Sequence, residues 1–425
     1  MDPQQIQSLY AALQTWLADI RVCFKREKTR DYLHLYVLGL LADLKRKSIE
    51  PIALAAHVPV RTLQEFLAFF AWDHERLDRM LTARVANRLG PRDGGIGVID
   101  ATAHAKRGDK TPGVQRQYSG EAGKIDNCVV AQHILYTDDD AKNPFSCMLA
   151  SDLFLPESWD SDRKRCRDAG IPDSLRHRTK WAIALDQVKG AVAAGVRFSW
   201  LVFDEDYGRI PQFWFALDAL GQRGVGEVPG DFRCWVKRPA CATRQKCHAS
   251  RRVETLCTLS PAFREQPWKR CMVKETTRGA CVWDWKAALV HLNAPEMPRG
   301  VPIPTDRRYW LVFLRNDATG EVTYVVSNAS ERAAPEEILR ALFSRWHVEK
   351  WFERAKQEAG LGAFEVRTYT SLVRHWLCAR LAMQFLSEQT ARLRGKKSAY
   401  NVRAGGGGRE HVRYEAVEEQ LALVG

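Results

Sequence analysis

The sequence predicts a mixed α/β protein in which strands and helices alternate after a purely helical beginning. Apolar residues recur at helical spacing through residues 1–90. Two short apolar runs, Ile96–Ile99 and Phe198–Phe203, have the composition of buried strands, and each is followed directly by an aspartate. From Gly224 to Ser330, short strand-like pieces alternate with basic turns that contain proline. With 425 residues, 45% of them hydrophobic, the chain is long enough for two or three domains.

Residues 1–90 are expected to form a helical N-terminal domain that binds DNA. Its helical pattern is carried by Ile6, Leu9, Tyr10, Leu13, Trp16 and Leu17, and continues in Leu35–Leu44 and Leu63–Phe70. Two basic clusters, Lys25–Arg30 and Lys45–Lys47, interrupt this pattern. Either cluster alone could be a solvated helix face. Together, on one helical domain, they favour a surface that holds DNA ends.

Residues 91–223 are expected to form the first part of a catalytic core with the order β-β-β-α-β-α. The predicted elements are strands at Ile96–Ile99, Asn127–Leu135 and Phe145–Leu149, a helix at His177–Ala194, a strand at Phe198–Phe203 and a helix at Ile210–Gln222. The first and fourth strands end at Asp100 and Asp204. Two acids at strand ends are a candidate site for chemistry.

Residues 224–330 are expected to be a β-rich insertion, and residues 331–394 a helical second part of the core. The insertion has strand candidates at Phe232–Val236, Cys281–Trp285, Tyr309–Leu314 and Val322–Ser327. Pro335 suits the first turn of a helix. Residues 395–425 form a basic tail in which Gly405–Gly408 are typical of a flexible linker.

Composition favours a nucleic-acid partner and disfavours several other classes. The 64 Lys and Arg exceed the 51 Asp and Glu, so the formal charge is +13, and a polyanion is the first partner to consider. No apolar run approaches the roughly 20 residues that span a bilayer, and the N-terminus lacks a secretory pattern. A cytoplasmic protein without a membrane partner is therefore expected. Six of eleven cysteines lie between Cys234 and Cys281, with His248 nearby, but the absence of a C-x₂-C pair disfavours zinc.

A third acid is predicted on a helix near the C-terminus. Phosphoryl transfer with two metal ions needs several carboxylates from separate elements, because Mg²⁺ prefers oxygen ligands. Arg345, Glu349 and Lys356 stand at i, i+4 and i+11, which predicts one stripe of a helix. Glu349 is then the acid, and the two cations are suited to DNA-phosphate contacts.

Neighbouring carboxylates leave part of this assignment open. Glu205 and Asp206 follow Asp204 directly, although Asp204 continues the strand alternation from Val202. Glu353 and Glu358 compete with Glu349, and only Glu349 has the Arg and Lys spacing.

Several blocks in the same order resemble the bacterial insertion-sequence transposases of the DDE superfamily, in the branch with a Tyr-x₂-Arg-x₃-Glu-x₆-Lys signature. That signature reads Arg345-x₃-Glu349-x₆-Lys356 here, with Leu342 in place of the tyrosine. The first-acid block maps onto Asp100, Thr102, Lys106, Arg107 and Gly108, and the second onto Asp204, Tyr207 and Gly208. Further matching blocks are Tyr36–Pro51, Gly113–Lys124 and Asp152–Trp159. The resemblance covers about residues 30–390.

The resemblance implies an RNase H-like catalytic domain interrupted by the β-rich insertion. It implies two Mg²⁺ ions, with Mn²⁺ as a substitute, held by Asp100, Asp204 and Glu349. Lys106 and Arg107 would contact DNA phosphates, and Thr102, Tyr207 and Gly208 would support the acids. The partners implied are double-stranded DNA, both element terminal repeats and target, and a second copy of the chain in a synaptic homodimer. The protein would act at the bacterial nucleoid, cleaving element ends and joining their 3′-hydroxyls to target DNA.

Two alternative functions, and a base-stacking role for the insertion tryptophans, are also compatible with the sequence. A domesticated DNA-binding protein would have kept the fold without cutting, and a metal-dependent nuclease would cut without strand transfer. Tyr118 is only a weak match to a recombinase nucleophile. The insertion tryptophans could stack on a flipped base, although packing in the sheet core is preferred for each: Trp235, Trp268, Trp283, Trp285 and Trp310.

Overall fold

The computed structural model describes residues 3–88, 94–120, 122–138, 145–239, 250–276, 279–294 and 303–397. Cys241, Cys247, His248 and Gly405–Gly408 lie outside the described residues, as does most of the basic tail. The chain divides into two compact units. The first comprises Met1–Gly94, Ala101–Arg197 and Glu349–Gly425, and the second Gly95–Asp100 and Phe198–Val348.

The helices are α1 (Pro3–Asp19), α2 (Glu27–Leu41), α3 (Ile49–Ala55), α4 (Val60–Ala68), α5 (His74–Ala86), α6 (Glu157–Asp160), α7 (Arg163–Asp168), α8 (Lys180–Ala193), α9 (Glu205–Gly208), α10 (Pro211–Ala219), α11 (Val253–Leu259), α12 (Pro261–Arg264), α13 (Pro335–Ser344), α14 (Trp346–Ala359) and α15 (Tyr369–Lys397). The strands are β1 (Gly95–Ala105), β2 (Gln115–Ser119), β3 (Lys124–Thr137), β4 (Ser146–Leu153), β5 (Phe198–Phe203), β6 (Gly224–Val228), β7 (Arg233–Trp235), β8 (Arg251–Arg252), β9 (Lys269–Thr276), β10 (Gly279–Leu292), β11 (Tyr309–Asn316) and β12 (Val322–Ser327). No helix in the described part of the chain is long and apolar enough to cross a membrane.

In the first unit, the long helix α15 packs against α2, α4 and α5 and against strand β4. A buried guanidinium strengthens this packing. Arg374 of α15 donates to the carbonyl oxygens of Phe66, Leu67, Phe70 and Trp72, at 3.0–3.3 Å. These carbonyls lie at and just beyond the C-terminal end of α4, where backbone oxygens lack helical partners and a cation is favourable. The N-terminal helices therefore depend on a residue about 300 positions away.

The strands of the first unit form an antiparallel arrangement around β3. Strands β2 and β4 both pair with β3, and β1 lies next to it, with the Lys106 N–H donating to the Asn127 carbonyl at 2.8 Å. Helix α8 packs on β3 and β4. Gln187 of α8 donates to the Gln132 carbonyl at 2.8 Å, so a polar side chain fixes the helix to the sheet.

In the second unit, parallel strands give way to an antiparallel series. Strand β5 pairs in parallel with both β1 and β6. Beyond β6 the order is β12, β11, β10, all antiparallel, and β10 also pairs with β7 and β9. Helix α13 packs on β5 and β6. Because β5 and β6 run in parallel, their carboxyl ends lie side by side.

Most of the strand and helix predictions match, and the exceptions have identifiable causes. Strands β5 and β12 have the predicted bounds, and the prediction near Pro335 is confirmed by α13. The prediction that the first strand ends at Asp100 is wrong, because β1 continues to Ala105. Residues 102–104 are buried in this continuation, so the chain returns to core packing after the acid. Several elements were not predicted: strands β2, β6, β8 and β9 and helices α6, α7, α9, α11 and α12.

Candidate active site

Three acids follow one another across the parallel strands of the second unit. The register pairs Ile99 with Phe203 on β1 and β5, so Asp100 is level with Asp204 one residue later. It also pairs Phe203 with Gly226 on β5 and β6, so Glu227 is level with Asp204 on the other side. Neighbouring strands lie about 4.8 Å apart. The fold therefore brings together two predicted acids and one, Glu227, that the sequence did not indicate.

Asp204 combines a structural and an electrostatic role. It follows β5 directly and caps the short helix α9, its Oδ1 accepting a hydrogen bond from the Asp206 N–H at 3.0 Å. Burial, followed by the nearby Asp206 carboxylate, raises the pKa of Asp204 to about 6, and Glu227 adds to the rise. Arg345 opposes it, but the result is still a carboxyl that is costly to ionise. Perturbed carboxyls of this kind are typical of functional sites.

Arg345 is held beside this group by Glu227. Its guanidinium donates to the Glu227 carboxylate at 2.9 Å, and the two side chains are only 17% and 30% exposed. The prediction of one continuous helical stripe is wrong in one respect. Arg345 is the residue between α13 and α14, whereas Glu349 and Lys356 lie on α14. The helix is interrupted there by one residue, so Arg345 is fixed by its ion pair rather than by α14.

Gly208 explains why Glu227 lies so close. A Cβ at Gly208 would meet the Glu227 carbonyl oxygen at 1.9 Å, so no other residue fits without moving β6. Tyr207 is 1% exposed and packs edge-on against Phe203. The Trp214 indole donates to the Gly208 carbonyl at 2.8 Å. The Tyr-Gly pair thus holds α9 against β5 and β6 immediately beside Asp204.

Glu349, the predicted third acid, is an exposed residue of α14 in the first unit. Trp351 and Phe352 anchor this helix and are 6% and 5% exposed. Glu353 and Glu358 are exposed as well, so exposure does not choose among the three. Within the described residues, no group of three His, Cys, Asp or Glu side chains is arranged to hold a metal ion. The assignment of Glu349 stays a prediction.

The chemistry of the donors present fits a hard divalent cation. Asp100 and Asp204 offer only carboxylate oxygens, which Mg²⁺ prefers. Burial, and after it the neighbouring Asp206 and Glu227 carboxylates, raise the pKa of Asp204. A bound cation would lower the free-energy cost of ionising this carboxyl. Metals that prefer thiolate or imidazole ligands are disfavoured, because neither group is among these donors.

The first-acid block continues into the first unit, where its residues occupy different environments. Thr102 is buried at 8% exposure. Lys106 donates through Nζ to the Gly362 carbonyl at 2.8 Å and lies 3.6 Å from the centre of the Phe364 ring. Burial lowers the pKa of Lys106 to about 8. Arg107 is exposed. Of this pair, Arg107 is the more exposed residue.

The insertion tryptophans are mainly packing residues. Trp235, Trp283 and Trp285 are between 3% and 7% exposed, as the preferred interpretation predicted. Trp268 contacts the charged groups of Lys286 and Arg315 through its ring face, at 4.7 and 4.3 Å. The Trp310 indole donates to the Ser330 carbonyl. These residues stabilise the β-rich part of the second unit.

Comparison with known proteins assigns the family. Residues 19–280 match the family model described as DDE superfamily endonuclease. The chain belongs to the DDE superfamily of endonucleases. The matched region includes Asp100 and Asp204 and ends before Glu349.

One sequence relative and one solved structure that are similar to this chain carry transposase names. A probable transposase for insertion sequence element IS701 from Microchaete diplosiphon is 30% identical over 191 residues, which is 44% of this chain and 45% of that protein. The chain thus matches less than half of that relative's length. A cryo-EM structure of a piggyBac transposase synaptic complex with hairpin DNA aligns with 96% of this chain and 75% of that one, at 11% identity and a TM-score of 0.44. That similarity is too weak to assign the fold.

Proposed function

We propose that the protein is a DNA transposase that cleaves insertion-sequence ends and joins their 3′-hydroxyls to target DNA. One observation supports this most directly: Asp100 and Asp204 lie level on neighbouring parallel strands in a DDE endonuclease, and the pKa of Asp204 is raised. The similarity to an insertion-sequence transposase favours transposition over other reactions of this superfamily. The catalytic domain is proposed to be RNase H-like, with residues 1–90 as a DNA-binding part.

Asp100, Asp204 and Glu349 are the residues that would hold Mg²⁺, two ions in the proposed mechanism, with Mn²⁺ as a substitute. When bound, such ions activate the attacking oxygen and stabilise the leaving oxygen in phosphoryl transfer. Above pH 6 Asp204 is ionised, which is the state that ligation requires. Glu227 orients Arg345 through their ion pair. The proposed role of the Arg345 guanidinium is to bind a phosphate oxygen of the scissile strand.

The remaining parts of the proposal concern DNA and assembly. Lys106, Arg107 and Lys356 are proposed phosphate contacts, with duplex terminal repeats and target DNA as the ligands. A homodimer would hold two element ends together, and the protein would work at the nucleoid. Thr102 supports the site from the buried continuation of β1, whereas Tyr207 and Gly208 support it from α9.

The experiment is a cleavage and joining assay with the full chain, Mg²⁺ and duplexes that carry the element's terminal repeat. Asp100→Asn and Asp204→Asn should abolish nicking while leaving duplex binding within about twofold of wild type. Asp231→Asn makes the same chemical change at an exposed aspartate and should cleave normally. If Asp100→Asn still nicks the ends, the assigned site is wrong. If the protein nicks DNA but does not join a pre-cut 3′-end, it is a nuclease without strand transfer. If it only binds the duplex, it is a non-cutting DNA-binding protein.

A further inference from the structure

The first unit contains a groove of about 1630 Å³ on the side of α4 and the end of β1. Its lining comes from 44–49, from α4 with Phe69, from 105–111, and from 362–368 with Ser371 of α15; Asp126, Lys356 and Gln357 also line it. Nine basic and four acidic side chains line it, which is an excess of five positive charges. A groove with this charge attracts a polyanion.

Two of the four groove acids already form close ion pairs with groove cations. Glu365 pairs with Arg46 at 3.0 Å, and Glu65 pairs with Arg61 at 2.8 Å. Both pairs are largely solvent-exposed, and exposed ion pairs contribute little stability. A phosphate oxygen can therefore replace either carboxylate at small cost.

Exposed cations complete the walls of the groove. Lys45, Arg107 and Arg367 are all exposed and line it. Among the described residues, none of the three has a carboxylate within ion-pairing distance. Lys106 also lines the groove, and the Gly362 carbonyl and the Phe364 ring hold its ammonium group. The groove cations thus come from several separate segments of the chain.

An exposed aromatic ring lies among these charges. Phe69 directly follows α4, lines the groove and is 77% exposed, whereas its neighbours Phe66 and Leu67 are fully buried. An exposed phenylalanine contributes little to the free energy of folding, because it buries little of its apolar area. Cationic walls with an exposed aromatic ring are the arrangement by which proteins hold single-stranded nucleic acid. In a duplex each base is already stacked on its neighbours and offers no free face to such a ring.

We propose that this groove binds a single DNA strand, with its phosphates on the basic walls and one unpaired base stacked on Phe69. The proposal rests on the proposed function, because DNA is the polyanion that a DDE endonuclease acts on. It assigns a single-stranded segment, such as an unpaired flank at a cut end, to the first unit. The base-stacking residue is then outside the β-rich insertion.

The test uses the full chain and a fluorescent oligothymidylate of about 12 nucleotides, a length within the range that single-strand grooves cover. Phe69→Ala should weaken its binding about 5- to 150-fold, the range measured for loss of one stacked base. Phe69→Trp should retain affinity. Tyr118→Ala is the matched control, because Tyr118 is an exposed aromatic residue, 67% exposed, that does not line the groove. It should bind like wild type.

Two further readouts separate stacking from charge. A 2-aminopurine near the middle of the oligonucleotide should be quenched on binding to wild type and not to Phe69→Ala. In Phe69→Ala, the slope of log K against log salt concentration should be unchanged. The steepness of that slope should fall by about 0.7 for each phosphate that a variant no longer neutralises. Arg107→Gln with Arg367→Gln should therefore lower the slope and leave the quenching in place at low salt.

The outcomes separate this proposal from the proposed function. If wild type fails to bind the oligonucleotide, or if Phe69→Ala binds it as wild type does, the groove proposal is overturned. The same holds if Tyr118→Ala loses as much affinity. Each of these results leaves the Mg²⁺-dependent nicking assay unaffected. Conversely, if the protein binds the oligonucleotide through Phe69 but never nicks DNA, the groove proposal holds and the proposed transposase function is wrong.

Discussion

Replacing Asp204 by asparagine should stabilise the protein at neutral pH while abolishing cleavage. In the native state the pKa of Asp204 rises from its ordinary value of 3.8 to about 6, chiefly through burial. One pKa unit corresponds to about 1.4 kcal/mol, so ionising this carboxyl costs on the order of 3 kcal/mol of folding free energy. Solvent reaches part of the side chain and screens it, so we expect a gain of about 1–2 kcal/mol. Asparagine can still accept the Asp206 N–H hydrogen bond as the cap of α9.

The pH dependence identifies the cause of this gain. Below pH 3.8 the carboxyl is protonated in both native and unfolded states, so wild type carries no penalty relative to the variant. Between pH 4 and pH 6 the native state holds a proton that the unfolded state has lost, and the stability from the raised pKa is lost as pH rises. Above pH 6 the full penalty is present. The advantage of Asp204→Asn should therefore appear across this window and then stay constant.

The assay is urea unfolding in EDTA, followed by tryptophan fluorescence, at a series of pH values. Asp231→Asn, at an exposed position, should show no comparable gain. Adding Mg²⁺ should stabilise wild type, by about 2.7 kcal/mol at a hundred times the dissociation constant, and leave Asp204→Asn unchanged. A variant that is no more stable than wild type at pH 7.5, or whose advantage is the same at pH 4, would refute this account of the site.

Three other perturbations have defined outcomes. Gly208→Ala should destabilise the protein by about 1–3 kcal/mol and impair cleavage, because its Cβ would meet the Glu227 carbonyl at 1.9 Å. Gly190→Ala is the control, because a Cβ there would lie in open space on α8. It should be neutral or slightly stabilising in the same urea titration. Glu227→Gln should slow single-turnover cleavage about tenfold with end binding retained, since Arg345 loses a charge-assisted partner, and an additive double-mutant cycle with Arg345→Gln would contradict this. Burial lowers the pKa of His375 to about 4 from 6.5, so its contribution to stability is full above pH 6.5 and is lost as pH falls toward 4. The wild type should therefore be about 1.4 kcal/mol less stable at pH 5.5 than at pH 7.5 through this residue, and His375→Gln should remove that part of the difference.

Elements with strong local signals were predictable. The apolar run Phe198–Phe203 has the composition of a buried strand and is one. Pro335 begins α13, as its fixed φ and missing N–H favour. By contrast, β9 carries the polar sequence from Lys269 to Thr276, and it forms because it pairs with β10. Such a strand depends on its partner and has no periodicity of its own.

The candidate site shows the same division. Asp100 and Asp204 were predictable because an acid directly after an apolar run is a local feature. Glu227 was not, because its importance depends on the parallel register of β5 and β6 and on the lack of a side chain at Gly208. Phe69 falls near the end of an apolar pattern that predicts helix, yet it follows α4 and is exposed. Helical periodicity cannot tell the final residue of a buried stripe from one beyond the helix end.

The amino-acid sequence by itself indicated the family, located the two strand-associated aspartates and predicted a polyanionic partner, because motif order, apolar runs and net charge are all present in the linear chain. Only the tertiary structure decided that Glu227 holds Arg345 beside Asp204, and that Lys45, Phe69, Arg107 and Arg367 share one groove. Strand register and groove walls arise from contacts between residues far apart in sequence. These contacts are selected by the packing of the whole unit, and no local pattern specifies them.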